Sequence, residues 1–293
     1  MGNYYSTQSI NNKSNSCTLR LMSYNVEWGF LKIPSDVIYD ACKHLIPHTE
    51  IAQKNHLKLI GKNIGMLSPD ICFLQEIGSK EVLQYITNVI YEMYNIKYDY
   101  YYSNDDEIGY QGVGALILNS NDVIIEKIPN FPLNRALGIY SKNNENFPVI
   151  VGLHLKSLYD KKSSEDIEQQ IKQLKCVNEW VNKREAIICG DFNNVMESEP
   201  INMMYECGYF DLLSEKAYVP NITLDNSTEF YRDDSNKLIG SKIDYIFASK
   251  NILDNCLSSH IINIHREISK EKKNKNYRSE NSDHLPVMAI IQY

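Results

Sequence analysis

The segment at residues 186–194, Ala-Ile-Ile-Cys-Gly-Asp-Phe-Asn-Asn, constrains the fold of this chain most strongly. Its first four residues form an apolar run with the length of a buried strand, and a glycine ends that run. Asp191 and Asn193 follow on one side of the chain, while Phe192 points away, because side chains alternate along a strand. A carboxylate and a carboxamide at a strand end suit a metal ion or a phosphoryl oxygen. The sequence therefore predicts a polar site at a sheet edge.

The composition limits the classes of protein open to the chain. Its 293 residues can form one large domain or two small ones, and 43% hydrophobic with 23% charged residues is typical of a globular protein. The net charge of −7 gives no overall positive field, so a polyanion would need a local basic patch or a metal ion to bind. Seven scattered cysteines without a CxxC pair or a secretory signal predict reduced thiols and an intracellular protein of the cytoplasm or nucleus.

The N-terminus differs from the rest of the sequence. Residues 1–17 are polar and predict a flexible lead-in, and we expect a single domain over 18–293 because no linker or repeat divides that range. The opening Met-Gly-Asn-Tyr-Tyr-Ser fits the pattern for N-myristoylation at Gly2, and an unmodified terminus is the alternative. A single acyl chain gives reversible contact, so any membrane association through Gly2 would be peripheral.

Hydrophobic periodicity predicts a chain of mixed strands and helices. The predicted helices are 49–67 with Thr49 as N-cap, 80–94, 163–183 and 195–207. The predicted strands are 19–24, 71–74, 98–102, 113–118, 122–128, 135–140, 149–155, 186–189, 242–248 and 285–291. The strands 113–118, 122–128 and 135–140 are expected to form one meander, and 214–240 to be irregular.

One predicted helix and one set of histidines carry further expectations. The helix 163–183 should bury Ile167, Ile171 and Leu174, and it joins two strands as a crossover that brings His154 and Asp191 to one sheet edge. His44, His48 and His56 lack the partners of a zinc site, which predicts a solvated helix start instead.

Polar residues recur where the predicted strands end. They are Asn25, Glu76, His154 with Lys156, Asp191 with Asn193, Asp244, and Asp283 with His284. Each adjoins a run of apolar residues, and six such ends in one chain indicate a shared site rather than ordinary turn chemistry.

The segments around these residues resemble the ordered motifs of the endonuclease/exonuclease/phosphatase superfamily, the DNase I-like fold. They are Ser-Tyr-Asn-Val-Glu at 23–27, Leu-Gln-Glu at 74–76, Leu-His-Leu-Lys at 153–156, Gly-Asp-Phe-Asn at 190–193, Ile-Asp-Tyr-Ile-Phe at 243–247 and Ser-Asp-His-Leu-Pro-Val at 282–287. The resemblance implies a four-layer α/β sandwich, in which two packed, mostly antiparallel sheets are flanked by helices. The active site would lie where strand ends of both sheets meet.

The resemblance also implies a metal site. Glu76 resembles the principal Mg²⁺ ligand, Asn25 its neighbour at the metal and phosphate, and Asp283 a second carboxylate on the metal side. Mg²⁺ is the expected cofactor, and Mn²⁺ is a plausible replacement.

Other residues carry over as parts of a hydrolytic site. Asp191 resembles the carboxylate that orients or deprotonates the attacking water, and Asn193 a donor to a non-bridging phosphate oxygen. His284 resembles the histidine beside the scissile phosphate, and Asp244 the carboxylate that orients it and raises its basicity. The remaining assignments are His154 as the second catalytic histidine, and Arg135 and Lys156 as substrate-binding residues.

His154 bears on the branch of the superfamily. The abasic-site endonuclease branch tends to carry a tyrosine there, so His154 favours the DNase-like, phosphatase-like or sphingomyelinase-like branches. We expect a Mg²⁺-dependent phosphodiesterase that acts on nucleic acid and has no obligate protein partner. The basic loop 265–278 could face the phosphates of the substrate, and a solvated charged face is the alternative. A lipid-directed phosphodiesterase or phosphoinositide phosphatase, a 5′-tyrosyl-DNA phosphodiesterase and a catalytically silent binding module stay open as alternatives.

Overall fold

The computed structural model describes residues 17–32, 49–104, 111–158, 164–215, 227–232, 238–262 and 282–293. Gly2, His44, His48 and the basic loop 265–278 lie outside these ranges, so the expectations that concern them stay predictions.

Strands and helices alternate through the described part of the chain. The strands are β1 (Thr18–Gly29), β2 (Ile71–Ile77), β3 (Asp99–Tyr102), β4 (Gly112–Ile117), β5 (Val123–Lys127), β6 (Ala136–Ser141), β7 (Val149–His154), β8 (Ala186–Asp191), β9 (Tyr209–Asp211), β10 (Glu229–Arg232), β11 (Leu238–Ser241), β12 (Asp244–Ser249), β13 (Cys256–Ile261) and β14 (Val287–Gln292). The helices are α1 (Glu50–Leu67), α2 (Lys80–Tyr94), α3 (Ser164–Val181), α4 (Glu199–Glu206), α5 (Leu212–Glu215) and α6 (Lys250–Asp254).

Two six-stranded sheets organise these elements. The first has the order β13-β14-β1-β2-β4-β3 and the second the order β5-β6-β7-β8-β12-β9, while β10 and β11 form a separate hairpin. Each large sheet is antiparallel except for one central parallel pair, β1 with β2 and β7 with β8. In both pairs a helix makes the connection, as a parallel pair requires. This confirms the predicted crossover between β7 and β8, and it places the carboxyl ends of each parallel pair side by side.

Three buried clusters separate four layers. One cluster fills the space between the two sheets, with Phe73 from the first sheet and Ile187 from the second. A second cluster packs α1 and α2 on the first sheet, and a third packs α3 and α4 on the second. Burying apolar area on both faces of a sheet is the main favourable contribution to such a fold. The predicted four-layer α/β sandwich is therefore confirmed.

Several predicted elements are observed almost unchanged. Helix α1 begins after Thr49, whose hydroxyl oxygen accepts a hydrogen bond from the Ala52 amide at 3.2 Å, and α2 has the predicted bounds. Within the described ranges, none of the helices combines the length and apolarity needed to cross a lipid bilayer.

The predicted meander is wrong in its first member. Strand β4 pairs with β2 and β3 in the first sheet, whereas β5 and β6 belong to the second sheet and continue into β7. The chain therefore changes sheets between β4 and β5. All six residues of β4 are buried, because it lies inside a sheet that is covered on both faces. A continuous apolar run shows that a strand is buried on both faces, but it does not show which sheet the strand joins.

Two other expectations are corrected. The range 214–240 is not wholly irregular, since it contains the hairpin strand β10 and most of β11. His56 is not solvated: it is buried, and its Nε2 lies 2.7 Å from the carbonyl oxygen of Val26. Because α1 packs directly on β1, a histidine on its inner face meets the β1 backbone instead of water.

The two sheets approach closely at Gly152 of β7. A Cβ atom built at this position would lie 2.0 Å from Cδ1 of Phe73, which belongs to β2 in the opposite sheet. Only a hydrogen fits at that distance, so the phenyl ring occupies the space that a side chain of β7 would take.

We expect Gly152→Ala to lower the free energy of unfolding by about 1–3 kcal/mol, because the added methyl group overpacks the centre of the sandwich. Urea denaturation monitored by circular dichroism measures the change. Combining the substitution with Phe73→Leu should recover part of the loss, and equal stability of Gly152→Ala and the wild type would contradict this packing.

Candidate active site

The predicted site residues come together because the two parallel strand pairs end at the same place. His154 and Asp191 are register partners at the ends of β7 and β8, and Asp244 pairs with Asp191 at the start of β12. In the first sheet, Asn25 is opposite Gln75, one residue before Glu76. The ends of both sheets thus contribute side chains to one cluster, as the sequence predicts.

Asp191 lies at the centre of this cluster. It is 1% exposed, and its Oδ2 accepts a hydrogen bond from Nδ2 of Asn25 at 2.9 Å. The same oxygen is 3.7 Å from Nε2 of His154 and 4.0 Å from Nε2 of His284. The Asn193 amide donates to Oδ1 at 2.7 Å. One carboxylate therefore faces an amide and two imidazoles that come from both sheets.

A glycine before Asp191 makes its position attainable. Gly190 has a φ of +145°, and a Cβ atom there would lie 1.9 Å from the carbonyl oxygen of Leu153. Any side chain would separate β8 from β7 at this point, so the glycine of the Gly-Asp-Phe-Asn motif has a steric explanation.

Glu76 is held by the irregular end of β1. The register of β1 with β2 shifts between Asn25 and Gly29, where Glu27 and Trp28 have positive φ angles. This bulge turns the Trp28 amide towards Glu76, whose Oε2 accepts from it at 2.9 Å.

The Asn25 side chain lies between Glu76 and Asp191. Its Nδ2 donates to Oε1 of Glu76 at 3.2 Å as well as to Asp191, and its Oδ1 accepts from the Glu27 amide at 3.0 Å. In this arrangement Asn25 connects the two carboxylates as a donor, while its oxygen is engaged by the backbone.

His284 and Asp244 form a buried dyad. Nδ1 of His284 is 2.8 Å from Oδ2 of Asp244, which fixes the imidazole with Nε2 towards Asp191. Thr228 supports both residues: its hydroxyl oxygen accepts from the Asp244 amide at 3.0 Å, and its carbonyl oxygen accepts from the Leu285 amide at 2.7 Å.

The pKa values of the two histidines are shifted in opposite directions. Burial opposes the charged form of His284, but Asp244, Asp283 and Asp191 outweigh burial and raise its pKa well above the usual value. Burial, with the positive charges of Arg135 and His284, lowers the pKa of His154 well below the usual value. One imidazole is therefore suited to carry a proton and the other to stay neutral, a division typical of acid and base partners.

The carboxyl groups at the centre have raised pKa values. Burial, and next the charge of Asp244, raises the pKa of Asp191 well above its usual range. Burial and the charge of Asp283 raise the pKa of Glu76. Both groups would gain from a nearby cation, because it would stabilise their charged forms.

Asp283 and its neighbours form the acidic side of the site. The Asp283 amide donates to Oε2 of Glu27 at 3.1 Å, and its Oδ1 is 3.8 Å from Nε2 of His284. That Oδ1 is buried without a hydrogen-bond partner among the described residues. Glu229 lies beside Asp283 and His284, and burial raises the pKa of Glu229 to about 7 against the opposing effect of His284.

Side-chain atoms that could bind a metal ion form groups at this site, and within each group the atoms lie within 4.8 Å of one another. Among the described residues the groups are Glu76 with His154 and Asp191, Asp191 with Asp244 and His284, and Glu229 with Asp283 and His284. Among these groups of described residues, Glu76 and Asp283 belong to different ones. A hard divalent cation fits the carboxylates, because it would satisfy the orphaned Asp283 oxygen and offset the repulsion that Glu76 experiences.

The predicted substrate-binding residues lie at the ends of second-sheet strands, with Arg135 just before β6 and Lys156 just after β7. Arg135 is half-buried, and its guanidinium has no hydrogen bond or ion pair with a described residue. Burial lowers its pKa, while Glu76 and Asp191 oppose that change. Asn193 donates through Nδ2 to the Leu155 carbonyl at 3.1 Å, and Lys156 follows directly in the chain.

Comparison with known proteins agrees with this geometry. A model of the Endonuclease/Exonuclease/phosphatase family matches residues 22–269. The chain belongs to this family. Nucleases and phosphatases are among the family's hydrolytic members. Among curated proteins, no sequence matches.

Solved structures show the family's fold in distant relatives. A family protein from Bacteroides thetaiotaomicron has a TM-score of 0.62 at 16% identity, covering 95% of this chain and 99% of its own. An AP endonuclease from Archaeoglobus fulgidus has a TM-score of 0.62 at 17% identity, covering 93% and 99%. TDP2 from D. rerio, complexed with single strand DNA product, has a TM-score of 0.55 at 17% identity, covering 93% and 98%. At these identities the likeness shows the fold alone.

Some residues of the site carry no sequence signal strong enough to place them. Glu27 belongs to the first family-like motif, but nothing in the sequence shows that it would hold Asp283, more than 250 residues later. Thr228 and Glu229 lie in a range that reads as irregular. Their positions depend on the pairing of β10 with β11 and of Glu229 with His284.

We expect Asp244→Asn to lower the pKa of His284, because the substitution removes the nearest negative charge and weakens the hydrogen bond to Nδ1. NMR titration of the His284 ring protons in EDTA measures this value. Asp254→Asn, which removes an exposed carboxylate from α6, is the matched control and should leave the His284 titration unchanged. An unchanged pKa in Asp244→Asn would rule out the dyad as the source of the shift.

Proposed function

We propose that this protein is a divalent-metal-dependent phosphodiesterase that hydrolyses nucleic acid by direct attack of water. The observation that carries the proposal is the convergence on Asp191, where a buried carboxylate faces Asn25, His154 and His284. A carboxylate with a raised pKa, two imidazoles with opposite pKa shifts and a neighbouring acidic group are the components that water attack on a phosphodiester requires.

In this proposal Asp191 orients the water and accepts its proton. Its raised pKa makes it a better base than an exposed aspartate, and Asn25 and the Asn193 amide fix its direction. His154 stays neutral beside Oδ2 of Asp191. It therefore adds no positive charge that would lower the pKa of Asp191 and make it a weaker base. Among the residues that the structure describes, no serine or cysteine has comparable support as a nucleophile.

His284 and Asp244 act on the phosphate. The protonated imidazole offers an N–H donor and a positive charge next to Asp191, where the scissile group would lie. Asp244 holds the ring through Nδ1 and stabilises its charge. Preorganised donors of this kind stabilise the charge that builds on phosphoryl oxygens in the transition state.

Arg135, Lys156 and Asn193 hold the substrate's phosphates in this proposal. The Arg135 guanidinium is half-buried and makes no hydrogen bond or ion pair with a described residue, so a phosphate could bind it without breaking an existing ion pair. The second N–H of the Asn193 amide group is available for a non-bridging oxygen, since one N–H is used by Leu155.

Glu76 and Asp283 would hold the metal ion, which we propose to be Mg²⁺, with Mn²⁺ as a replacement. When bound, such a cation neutralises negative charge on the phosphate and activates it towards attack. Asn25 and the Trp28 amide keep Glu76 in place by hydrogen bonds, and the Asp283 amide bonded to Glu27 fixes the second carboxylate.

The comparisons support nucleic acid as the substrate, and the buried core supports one domain as the working unit. Both the Archaeoglobus fulgidus AP endonuclease and the DNA-complexed D. rerio TDP2 share this fold along nearly their whole length. The same clusters of buried residues join strands from near residue 19 to residue 291, which supports a single domain over 18–293. With a net charge of −7, binding would depend on the metal ion and local cations.

We expect purified protein to nick supercoiled plasmid in Mg²⁺ and to lose this activity in EDTA. His284→Ala should reduce the rate about 10²–10⁴-fold, since it removes a positioned proton-carrying group. Agarose gel electrophoresis of the plasmid forms measures the rate. The matched control is His260→Ala on β13, which removes a half-exposed imidazole outside the cluster and should keep full activity.

The same preparation distinguishes the alternative substrates. Folded, metal-binding protein that nicks no plasmid and cleaves no RNA, but releases a lipid headgroup or a 5′-tyrosyl adduct, would contradict the nuclease proposal and identify the substrate class.

Metal binding is expected to depend on Glu76. Isothermal titration with Mn²⁺ should show binding to the wild type and at least about 10-fold weaker binding to Glu76→Ala, because a principal anionic ligand is lost. Glu81→Ala on α2 removes an exposed carboxylate and should bind as the wild type does. Absence of binding to the wild type would support a catalytically silent module.

A further inference from the structure

Two glutamines occupy the inner face of α3 where apolar residues are expected. The buried positions of this helix are Gln170, Gln173, Leu174, Val177 and Val181. Ile167 and Ile171, which the sequence pattern assigns to the core, are only partly buried. Both glutamines have no exposed surface, and burying an amide is costly unless its polar atoms find partners.

The glutamines bind both main-chain polar groups of Lys156. The Lys156 amide donates to Oε1 of Gln173 at 3.0 Å, and Nε2 of Gln170 donates to the Lys156 carbonyl oxygen at 2.5 Å. Strand β7 has ended at His154, so no sheet ladder fixes this residue. The two side chains provide the hydrogen bonds that neighbouring strands provide elsewhere.

The remaining atoms of the glutamines reach the two adjacent loops. Nε2 of Gln173 donates to the Pro132 carbonyl at 3.3 Å, three residues before Arg135. Oε1 of Gln170 accepts from Nδ2 of Asn194 at 2.8 Å, next to Asn193. All four amide atoms therefore have partners, and each loop that carries a proposed phosphate-binding residue is tied to one helix.

The segment is also fixed to the centre of the site. The Leu155 amide donates to the Asp191 carbonyl at 2.9 Å, and the Leu155 carbonyl accepts from the Asn193 side chain at 3.1 Å. A shift of Lys156 along the chain would disturb contacts on both sides of it. The Lys156 side chain is half-buried and makes no ion pair with a described residue, which leaves its ammonium group able to bind a phosphate.

We propose that Gln170 and Gln173 are positioning residues that fix the Lys156 backbone and, through it, the phosphate-binding side of the site. This inference rests on the proposed function. The glutamines do not touch the substrate themselves, so their effect should appear in substrate binding more than in the chemical step.

The test compares substitutions of similar volume on α3. Gln173→Met and Gln170→Met remove the hydrogen bonds and keep the packing, and each should raise KM for a plasmid or oligonucleotide about 10-fold, with a smaller change in kcat. Leu174→Ala is the control for general destabilisation: it leaves a cavity in the same helix face and should lower Tm at least as much while KM stays unchanged. An unchanged KM in both glutamine variants would overturn the proposal.

A double-substitution cycle tests whether Gln173 acts through Lys156. In a Lys156→Met background, adding Gln173→Met should raise KM by a smaller factor than it does in the wild type, because one of the phosphate-binding groups that it positions is already gone. Multiplicative effects of the two substitutions would show that Gln173 acts independently, which contradicts the proposal. The variant Gln173→Glu keeps a side-chain oxygen that can accept from the Lys156 amide. Its KM should therefore lie between that of Gln173→Met and that of the wild type.

Hydrogen exchange separates this inference from the proposed function. The peptide that covers 155–158 should exchange faster in Gln173→Met than in the wild type, whatever the substrate proves to be. Unchanged exchange would overturn the proposal that Gln173 fixes the Lys156 backbone. If exchange is faster but the wild type hydrolyses no nucleic acid, the positioning role of Gln173 is retained and the nuclease proposal is rejected.

Discussion

The burial of the Asp191 carboxylate is the constraint on which the site depends. A carboxylate with 1% exposure is costly to keep in the protein interior unless donors surround it. Its donors come from both sheets, with Asn25 from the first and the Asn193 amide from the second. The sheets must therefore pack at a fixed distance, and Gly152 allows this by leaving room for Phe73. The core and the site are set by the same packing.

The local sequence was sufficient to predict the strands that carry the polar site residues, although β1 and β2 extend past their predicted ends to Gly29 and Ile77. The motifs on these strands resemble the family's, and that resemblance predicted the four-layer sandwich. A strand end is recognisable because an apolar run stops at a polar residue, and the meeting of such ends at Asp191 follows from two parallel pairs. Sheet membership was not predictable in the same way. Strand β4 is buried throughout, as a strand of either sheet would be, so its pairing with β2 had to come from the structure. The roles of the site residues still stand as proposals.

Residues that act through main-chain contacts were the least visible in the sequence. Gln170 and Gln173 read as polar positions on an amphipathic helix, and the spacing of Ile167 and Ile171 indicates a different inner face. Compared with the orientation that the apolar spacing predicts, α3 turns Gln170 and Gln173 inward. The loops beside it expose carbonyl and amide groups that apolar side chains cannot satisfy. The role of Thr228 could not be recognised in the sequence for the same reason, since its partners become neighbours only when β12 and β14 are in place.

The position of β1 between β2 and β14 has a consequence for the order of folding. Cys17 and Tyr293 exchange main-chain hydrogen bonds at 3.0 Å, so β1 completes its pairing with a strand made almost 270 residues later. During synthesis, β1 would be an edge strand with an open row of amide and carbonyl groups until β14 leaves the ribosome. Closing so long a loop is slow, and an unpaired edge invites intermolecular pairing. The nascent chain would need protection from aggregation during this interval.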